Sequence, residues 1–218
     1  MRYQSVIYDL DGTLLNTIDD LAASVNHTMR LYGYPEHPVA AVCRMLGSGM
    51  ETLMRRALPQ DVSPERFQEA LSAFKAHYAE HSDDLTRAYD GICPLLEKLA
   101  AAGVKQAILS NKGDPFVKEL SKRYFGDCIA YAVGDRPGVP RKPAPDSTLR
   151  LMADMGCDPA STLYVGDSDV DILTARNAGV DCASVTWGFR PEEELRAAGA
   201  AILIRTPEEL GRLILSQH

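Results

Sequence analysis

Asp9 and Asp11 stand two positions apart in Asp9-Leu10-Asp11-Gly12-Thr13, directly after the apolar run Ser5-Val6-Ile7-Tyr8. A second acidic group, Gly166-Asp167-Ser168-Asp169-Val170-Asp171, also follows an apolar run, Thr162-Leu163-Tyr164-Val165. Taken singly, the first group reads equally well as a solvated Asp-Gly turn. The repetition after two strand-like runs points to chemistry, because the carboxyl ends of strands in an open α/β sheet form its ligand crevice. If the loops meet, Asp9, Asp11, Asp167 and Asp171 lie within a few ångströms of one another, and their like charges repel. A hard cation relieves that repulsion. Carboxylate and carbonyl oxygens without a neighbouring His or Cys favour magnesium, which takes one or two carboxylates directly and keeps several waters.

Two further polar groups belong to the same pattern. Ser110-Asn111-Lys112 follows the strand-like run 104–109, where a hydroxyl and backbone N–H groups can bind phosphate oxygens or simply begin a helix before Pro115. Lys142 lies in Gly138-Val139-Pro140-Arg141-Lys142-Pro143-Ala144-Pro145, whose three prolines stiffen the segment enough to fix the ammonium in a site. An exposed lysine is the ordinary alternative. His77 and His81 are four residues apart but lack an evident third ligand, so they read as a solvated helix face, not zinc. Trp187 and Phe189 read as loop packing, not a base-stacking platform.

The elements that position these groups follow from periodicity. Leu15 to Ala88 reads as purely helical. Thr17-Ile18-Asp19-Asp20 fits a capping start, followed by Leu21, Val25, Met29 and Tyr32 at helical spacing. Ser48-Gly49-Met50-Glu51 fits a second capping box, and Ser63-Pro64 opens a helix whose Phe67, Leu71, Phe74 and Tyr78 form one apolar stripe. From Gly91 onward helices and strands alternate. This predicts a doubly wound, Rossmann-like parallel sheet with helices on both faces. Residues 1–14 and 89–218 then form the α/β core, and residues 15–88 form an α-helical cap domain inserted after the first strand, over the crevice.

Bulk properties fit one such enzyme. The 218 residues are 45% hydrophobic and 24% charged, ordinary for a globular chain with a proper core. A net charge of -7 and a pI near 5.2 argue against nucleic acid or an anionic membrane as partner. Five scattered cysteines with no C-x-x-C spacing predict a reduced, cytoplasmic protein. A strand beginning a few residues after Met1 leaves no room for a leader, and no run reaches the ~18 apolar residues of a membrane span.

D-L-D-G-T, the strand-end Ser110, Lys142 before Pro143, and G-D-S-D-V-D occur in this order. Together they resemble the four motifs of the haloacid dehalogenase-like superfamily, in its phosphatase branch with a helical cap. The resemblance spans almost the whole chain. It implies that Asp9 is a nucleophile forming an aspartyl-phosphate, and that Asp11 protonates the leaving alcohol and then deprotonates water. It implies Mg²⁺ on the Asp9 carboxylate, the Asp11 main-chain carbonyl and Asp167, with Asp171 acting through metal-bound water. Thr13, Ser110, Asn111 and Lys142 would hold the phosphoryl group. No organic cofactor is needed.

The segment Met45-Leu46-Gly47-Ser48-Gly49-Met50 looks like the specificity loop of the phosphoglycolate phosphatases, as does Thr186-Trp187-Gly188-Phe189-Arg190. Gly47, Ser48 and Gly49 would then present free N–H groups to the carboxylate of a small acid such as 2-phosphoglycolate. The partner would be a small phosphorylated metabolite, with the chain a monomer or a homodimer. Other readings stay open: a pyrophosphatase, a sugar-phosphate phosphatase, or a mutase. Leu21 stands where the sugar phosphomutases carry a histidine, which disfavours the last. From another class, a phosphorylatable signalling module shares the acidic cluster, hydroxyl and lysine, but has neither an early nucleophile nor a cap.

Overall fold

The computed structural model describes residues 1–216, which divide into two compact units. One holds Met1–Leu15 and the chain from Ala88 onward; the other is Asn16–Arg87. The strands are β1 (Ser5–Tyr8), β2 (Leu15–Asn16), β3 (Arg87–Ala88), β4 (Lys105–Gly113), β5 (Tyr131–Asp135), β6 (Thr162–Gly166), β7 (Asp181–Val185) and β8 (Ile202–Ile204). Six of them form a sheet in the order β5-β4-β1-β6-β7-β8, and the pairings are parallel. From β1 the chain builds outward through β4 to β5, then returns to the other side of β1 with β6 and continues to β8. The order therefore reverses between β1 and β6, and a doubly wound sheet opens its crevice at that point. Tyr8 is in register with Val165, so the residues after these two positions enter the crevice side by side.

Central strands covered on both faces read as continuous apolar runs, and β1 and β6 are buried throughout. Their alternate residues feed two cores. On one face Val6, Tyr8, Leu163 and Val165 pack with residues of α5 (Ile92–Ala101), α6 (Asp114–Phe125) and α10 (Pro207–Leu215). On the other, Ile7 and Tyr164 pack with Leu151, Met152 and Met155 of α7 (Asp146–Met155) and with Ala175 of α8 (Asp169–Ala178). A buried polar side chain must find a partner. Gln106 does so by accepting from the Tyr8 hydroxyl at 3.1 Å and donating to the Leu96 and Cys128 carbonyls. A short helix, α9 (Glu192–Ala197), precedes β8.

The second unit contains α1 (Ile18–Leu31), α2 (Val39–Met45), α3 (Gly49–Ala57) and α4 (Pro64–His81). Leu21, Val25 and Met29 of α1 are buried, as is the whole predicted stripe of α4, Phe67, Leu71, Phe74 and Tyr78. Helix α1 packs on α4 and α2, and α3 on α4. The Ser63 side chain caps α4 by accepting from the Arg66 N–H at 3.2 Å.

Three expectations need correction. The segment is not purely helical, because β2 and β3 pair in a two-stranded ribbon where the chain enters and leaves the unit. Helix α2 was not foreseen. Neither Thr17 nor Ser48 caps its helix with its side chain. Asp20 instead accepts from the Leu85 and Thr86 N–H groups at 2.8–3.1 Å, because those two donors would otherwise be left unpaired where the chain turns out of the helices.

The five cysteines are free thiols. Among the described residues, no helix is long and apolar enough to cross a membrane.

Candidate active site

The first unit brings both acidic loops together at the switch point. Asp9 follows β1, its N–H donates to the Val165 carbonyl at 2.8 Å, and its side chain is 12% exposed. Lys142 Nζ lies 2.9 Å from Asp9 Oδ1 and 2.8 Å from Asp171 Oδ1, with only 3% of its side chain exposed. Burial by itself would lower the lysine's pKa, but Asp171 and Asp9 reverse that and hold the ammonium charged well above its usual range. The other Asp171 oxygen accepts from the Ser168 N–H at 3.1 Å and its hydroxyl at 2.6 Å. The Lys142–Pro143 peptide is cis, and the Lys142 carbonyl accepts from the Asn111 side chain at 3.1 Å.

Asp9, Asp167 and Asp171 each offer a carboxylate oxygen within 4.8 Å of the others, and all three are buried. One lysine cannot neutralise three such charges. Burial, reinforced by Asp171 and Asp11 against the pull of Lys142, pushes Asp9 up to about 7. Burial with Asp171 and Asp9 drives Asp167 well above the usual carboxylate range, although the Phe189 N–H and the Thr13 hydroxyl lower it. A buried, all-oxygen donor set with excess negative charge fits a hard divalent cation.

Asp167 is held from both sides. The Thr13 hydroxyl donates to Oδ1 at 3.2 Å, and the Phe189 N–H donates to Oδ2 at 2.7 Å. The Trp187 indole N–H donates to the Thr13 carbonyl at 3.0 Å. Gly12 and Gly188 let these segments close in, since a Cβ on either would run into the Asp167 side chain. Gly12 in addition has φ 84°, a conformation that costs other residues strain.

Asp11 turns to the end of β4. Lys112 Nζ lies 2.7 Å from Asp11 Oδ1, and the Ser110 hydroxyl reaches Oδ2 at 3.5 Å. The pairing of β4 with β5 shifts register between Leu109 and Gly113. Ser110, Asn111 and Lys112 are all buried in this irregular stretch.

The predicted Asp9, Asp167, Asp171 and Lys142 are thus in direct contact or close proximity. The Asp11 carboxylate lies outside the three-carboxylate group and faces Lys112. Thr13 presents its hydroxyl to Asp167, and Asn111 its amide to Lys142. Gly47, Ser48 and Gly49 belong to the second unit, at the start of α3, with φ of 112° at Gly47 and 84° at Gly49. Four contributors were not singled out: Lys112, Ser168, Gly188 and the Phe189 N–H. Each lies inside a segment quoted above for its motif or loop, and Lys112 had the further signal of a second cation two residues beyond a serine at the end of a strand-like run. His77, set aside as a zinc ligand, bonds to the Ser24 hydroxyl at 3.0 Å and stacks on His27 with ring centroids 4.0 Å apart.

Fold and site together define a Rossmann-like α/β protein with three buried carboxylates and a buried lysine at the switch point of its sheet. The sequence pattern of the haloacid dehalogenase-like hydrolases matches residues 6–185. A phosphoglycolate phosphatase of Pseudomonas putida is 34% identical over 91% of this chain and 75% of its own. An N-acetylmuramic acid 6-phosphate phosphatase of Pseudomonas aeruginosa is 30% identical over 96% of this chain and 94% of its own. A solved structure from Lactobacillus delbrueckii subsp. bulgaricus, provisionally named phosphoglycolate phosphatase, is 32% identical with a TM-score of 0.95 and covers 100% of both chains. This chain belongs to the haloacid dehalogenase-like hydrolase family.

Proposed function

We propose that the chain is a Mg²⁺-dependent phosphatase that hydrolyses the phosphate monoester of a small acid, with 2-phosphoglycolate the leading substrate. The observation that carries this reading is Asp9: a buried carboxylate at a strand end, 2.9 Å from the Lys142 ammonium and within a group of three carboxylates. Relatives named for phosphoglycolate and for N-acetylmuramic acid 6-phosphate support the substrate class, since both compounds join a phosphate ester to a carboxylic acid. The choice among such esters falls, in this reading, to Gly47, Ser48 and Gly49.

Asp9 and Asp167, with the Asp11 main-chain carbonyl, would hold Mg²⁺, and Asp171 would orient its water. When bound, the ion would supply neutralisation of the phosphoryl oxygens. Asp9 attacks phosphorus, the bond to the ester oxygen breaks, and that oxygen leaves with the electron pair and a proton from Asp11. Asp11 then takes a proton from water, whose oxygen displaces Asp9 and releases phosphate. Lys142 stabilises charge on the phosphoryl oxygens, while Ser110 and the Asn111 backbone donate to them. The reading requires neither nucleic acid nor membrane and suits a monomer or a homodimer.

The test is phosphate release from 2-phosphoglycolate, N-acetylmuramic acid 6-phosphate, hexose phosphates, nucleoside monophosphates and pyrophosphate, with Mg²⁺ or EDTA, and with Asp9→Asn as control. The expected result is Mg²⁺-dependent turnover of the phosphorylated acids that Asp9→Asn abolishes while remaining folded. Normal turnover by Asp9→Asn, or turnover in EDTA, overturns the mechanism. A preference for pyrophosphate or hexose phosphates overturns the substrate class.

A further inference from the structure

Lys112 has no place in the scheme above, yet its ammonium is among the most deeply buried charges in the chain. Its side chain is 3% exposed and lies 2.7 Å from Asp11 Oδ1. Burying an ammonium is costly unless it is paired, and this one is paired with the residue that handles the protons. We infer that Lys112 is the positioning residue for Asp11: it aims the carboxylate and stabilises the negative charge that forms there when the proton goes to the leaving oxygen. The inference rests on the assignment of Asp11 as acid and base.

The local structure is built for this pairing. Along an extended strand alternate side chains share a face. Ser110 and Lys112 accordingly both reach Asp11, at 3.5 and 2.7 Å, while Asn111 between them points away to the Lys142 carbonyl. The Lys112 N–H also donates to Ser110 Oγ at 3.2 Å, tying the two together. The irregular register between Leu109 and Gly113 is the type of distortion that re-aims a strand end next to an active site. Gly134 fits against it, since a Cβ there would collide with the Lys112 carbonyl and the Asp114 backbone.

The proton bookkeeping separates this role from simple packing. In the first step the bond from phosphorus to the ester oxygen breaks, the oxygen keeps the electron pair, and Asp11 becomes a carboxylate as its proton is transferred. Lys112 is already in contact with that carboxylate. A leaving group that is stable as an anion, such as p-nitrophenolate, needs no proton, so the first step with p-nitrophenyl phosphate should not depend on Lys112. The second step, removal of a proton from water, depends on Asp11 whatever left before.

The experiment compares wild type, Lys112→Met, Asp11→Asn and the double variant on 2-phosphoglycolate and on p-nitrophenyl phosphate, the latter by rapid mixing. General acid–base assistance contributes ~10²–10⁴-fold. The expected result for Lys112→Met is a kcat on 2-phosphoglycolate lowered at least ~10²-fold with KM nearly unchanged. It should show a retained burst of p-nitrophenolate followed by slowed turnover. The double variant should be no slower than Asp11→Asn.

If Lys112→Met slows the burst as much as it slows 2-phosphoglycolate, or if its loss multiplies with that of Asp11→Asn, Lys112 does not act through Asp11 and the inference is overturned. If Asp11→Asn itself shows no dependence on leaving group, the acid–base assignment fails and the inference goes with it. Lys112→Gln, neutral but still hydrogen bonding, gives the same comparison should the Met variant not fold.

Discussion

Lys142 Nζ and Asp171 Oδ1 lie 2.8 Å apart, and the two side chains are only 3% and 1% exposed. The second Asp171 oxygen is tied to Ser168, so the carboxylate is fixed by its own helix start and the lysine is fixed by the carboxylate. Lys142 reaches Asp9 from this anchored position. The pair makes the ammonium part of the site's framework.

Lys142→Met removes the cation and leaves Asp9 and Asp171 buried without it. Breaking one side of a buried ion pair costs about 3–5 kcal/mol, so urea unfolding should show a loss of that order in EDTA. Mg²⁺ should restore part of the stability but not the turnover, because the ion cannot take the place proposed for the lysine on the phosphoryl group. Turnover within tenfold of wild type would remove Lys142 from the mechanism.

In the absence of cation, stability should fall as pH rises through the acid range. Asp9 is pushed up to about 7 in the folded chain from an ordinary value of 3.8, so between these values the folded state holds more proton than the unfolded state. By linkage the slope of stability against pH is then negative over this range. Asp167, also raised, acts in the same direction. Mg²⁺ binds the ionised form, and its stabilising effect should therefore grow from pH 5 to pH 7. Thermal unfolding in EDTA and in Mg²⁺ across this range checks both slopes; an EDTA curve flat with pH would contradict them.

Gly188→Ala should damage the site from a loop outside both acidic motifs. The added methyl would meet the Asp167 side chain and the Gly12 carbonyl, one of them backbone, so the loop must move. Overpacking of this kind costs about 1–3 kcal/mol. It would also displace the Phe189 N–H from Asp167. The expected signature is a higher Mg²⁺ requirement for turnover, and unchanged Mg²⁺ dependence would show that the loop absorbs the methyl.

Asp20→Ala tests the corrected assignment in the inserted unit. It removes the acceptor for the Leu85 and Thr86 N–H groups in a residue 1% exposed. Hydrogen bonds to a charged group contribute about 1.5–3 kcal/mol, and a loss of about 2–4 kcal/mol is expected on urea unfolding. A loss near 0.5 kcal/mol, typical of a weak exposed helix cap, would return Asp20 to that lesser role.

Features that depend on near neighbours in sequence were legible from the residues. The apolar runs 5–8 and 162–165 announced buried parallel strands, the stripe Phe67, Leu71, Phe74 and Tyr78 announced a helix face, and carboxylates placed just beyond strands announced a crevice. Even Lys142 stood out through the prolines around it. What tertiary structure alone decided is the destination of each polar atom. Asp11 and Lys112 are 101 positions apart, and Phe189 and Asp167 are 22 apart; no local pattern joins them. Thr17 and Asp20 have the spacing of a helix start, yet Asp20 serves two N–H groups 65 and 66 positions away. The physical reason is common to all of these. A buried charge or N–H group must be paired, and which partner comes within reach is set by strand order and loop approach.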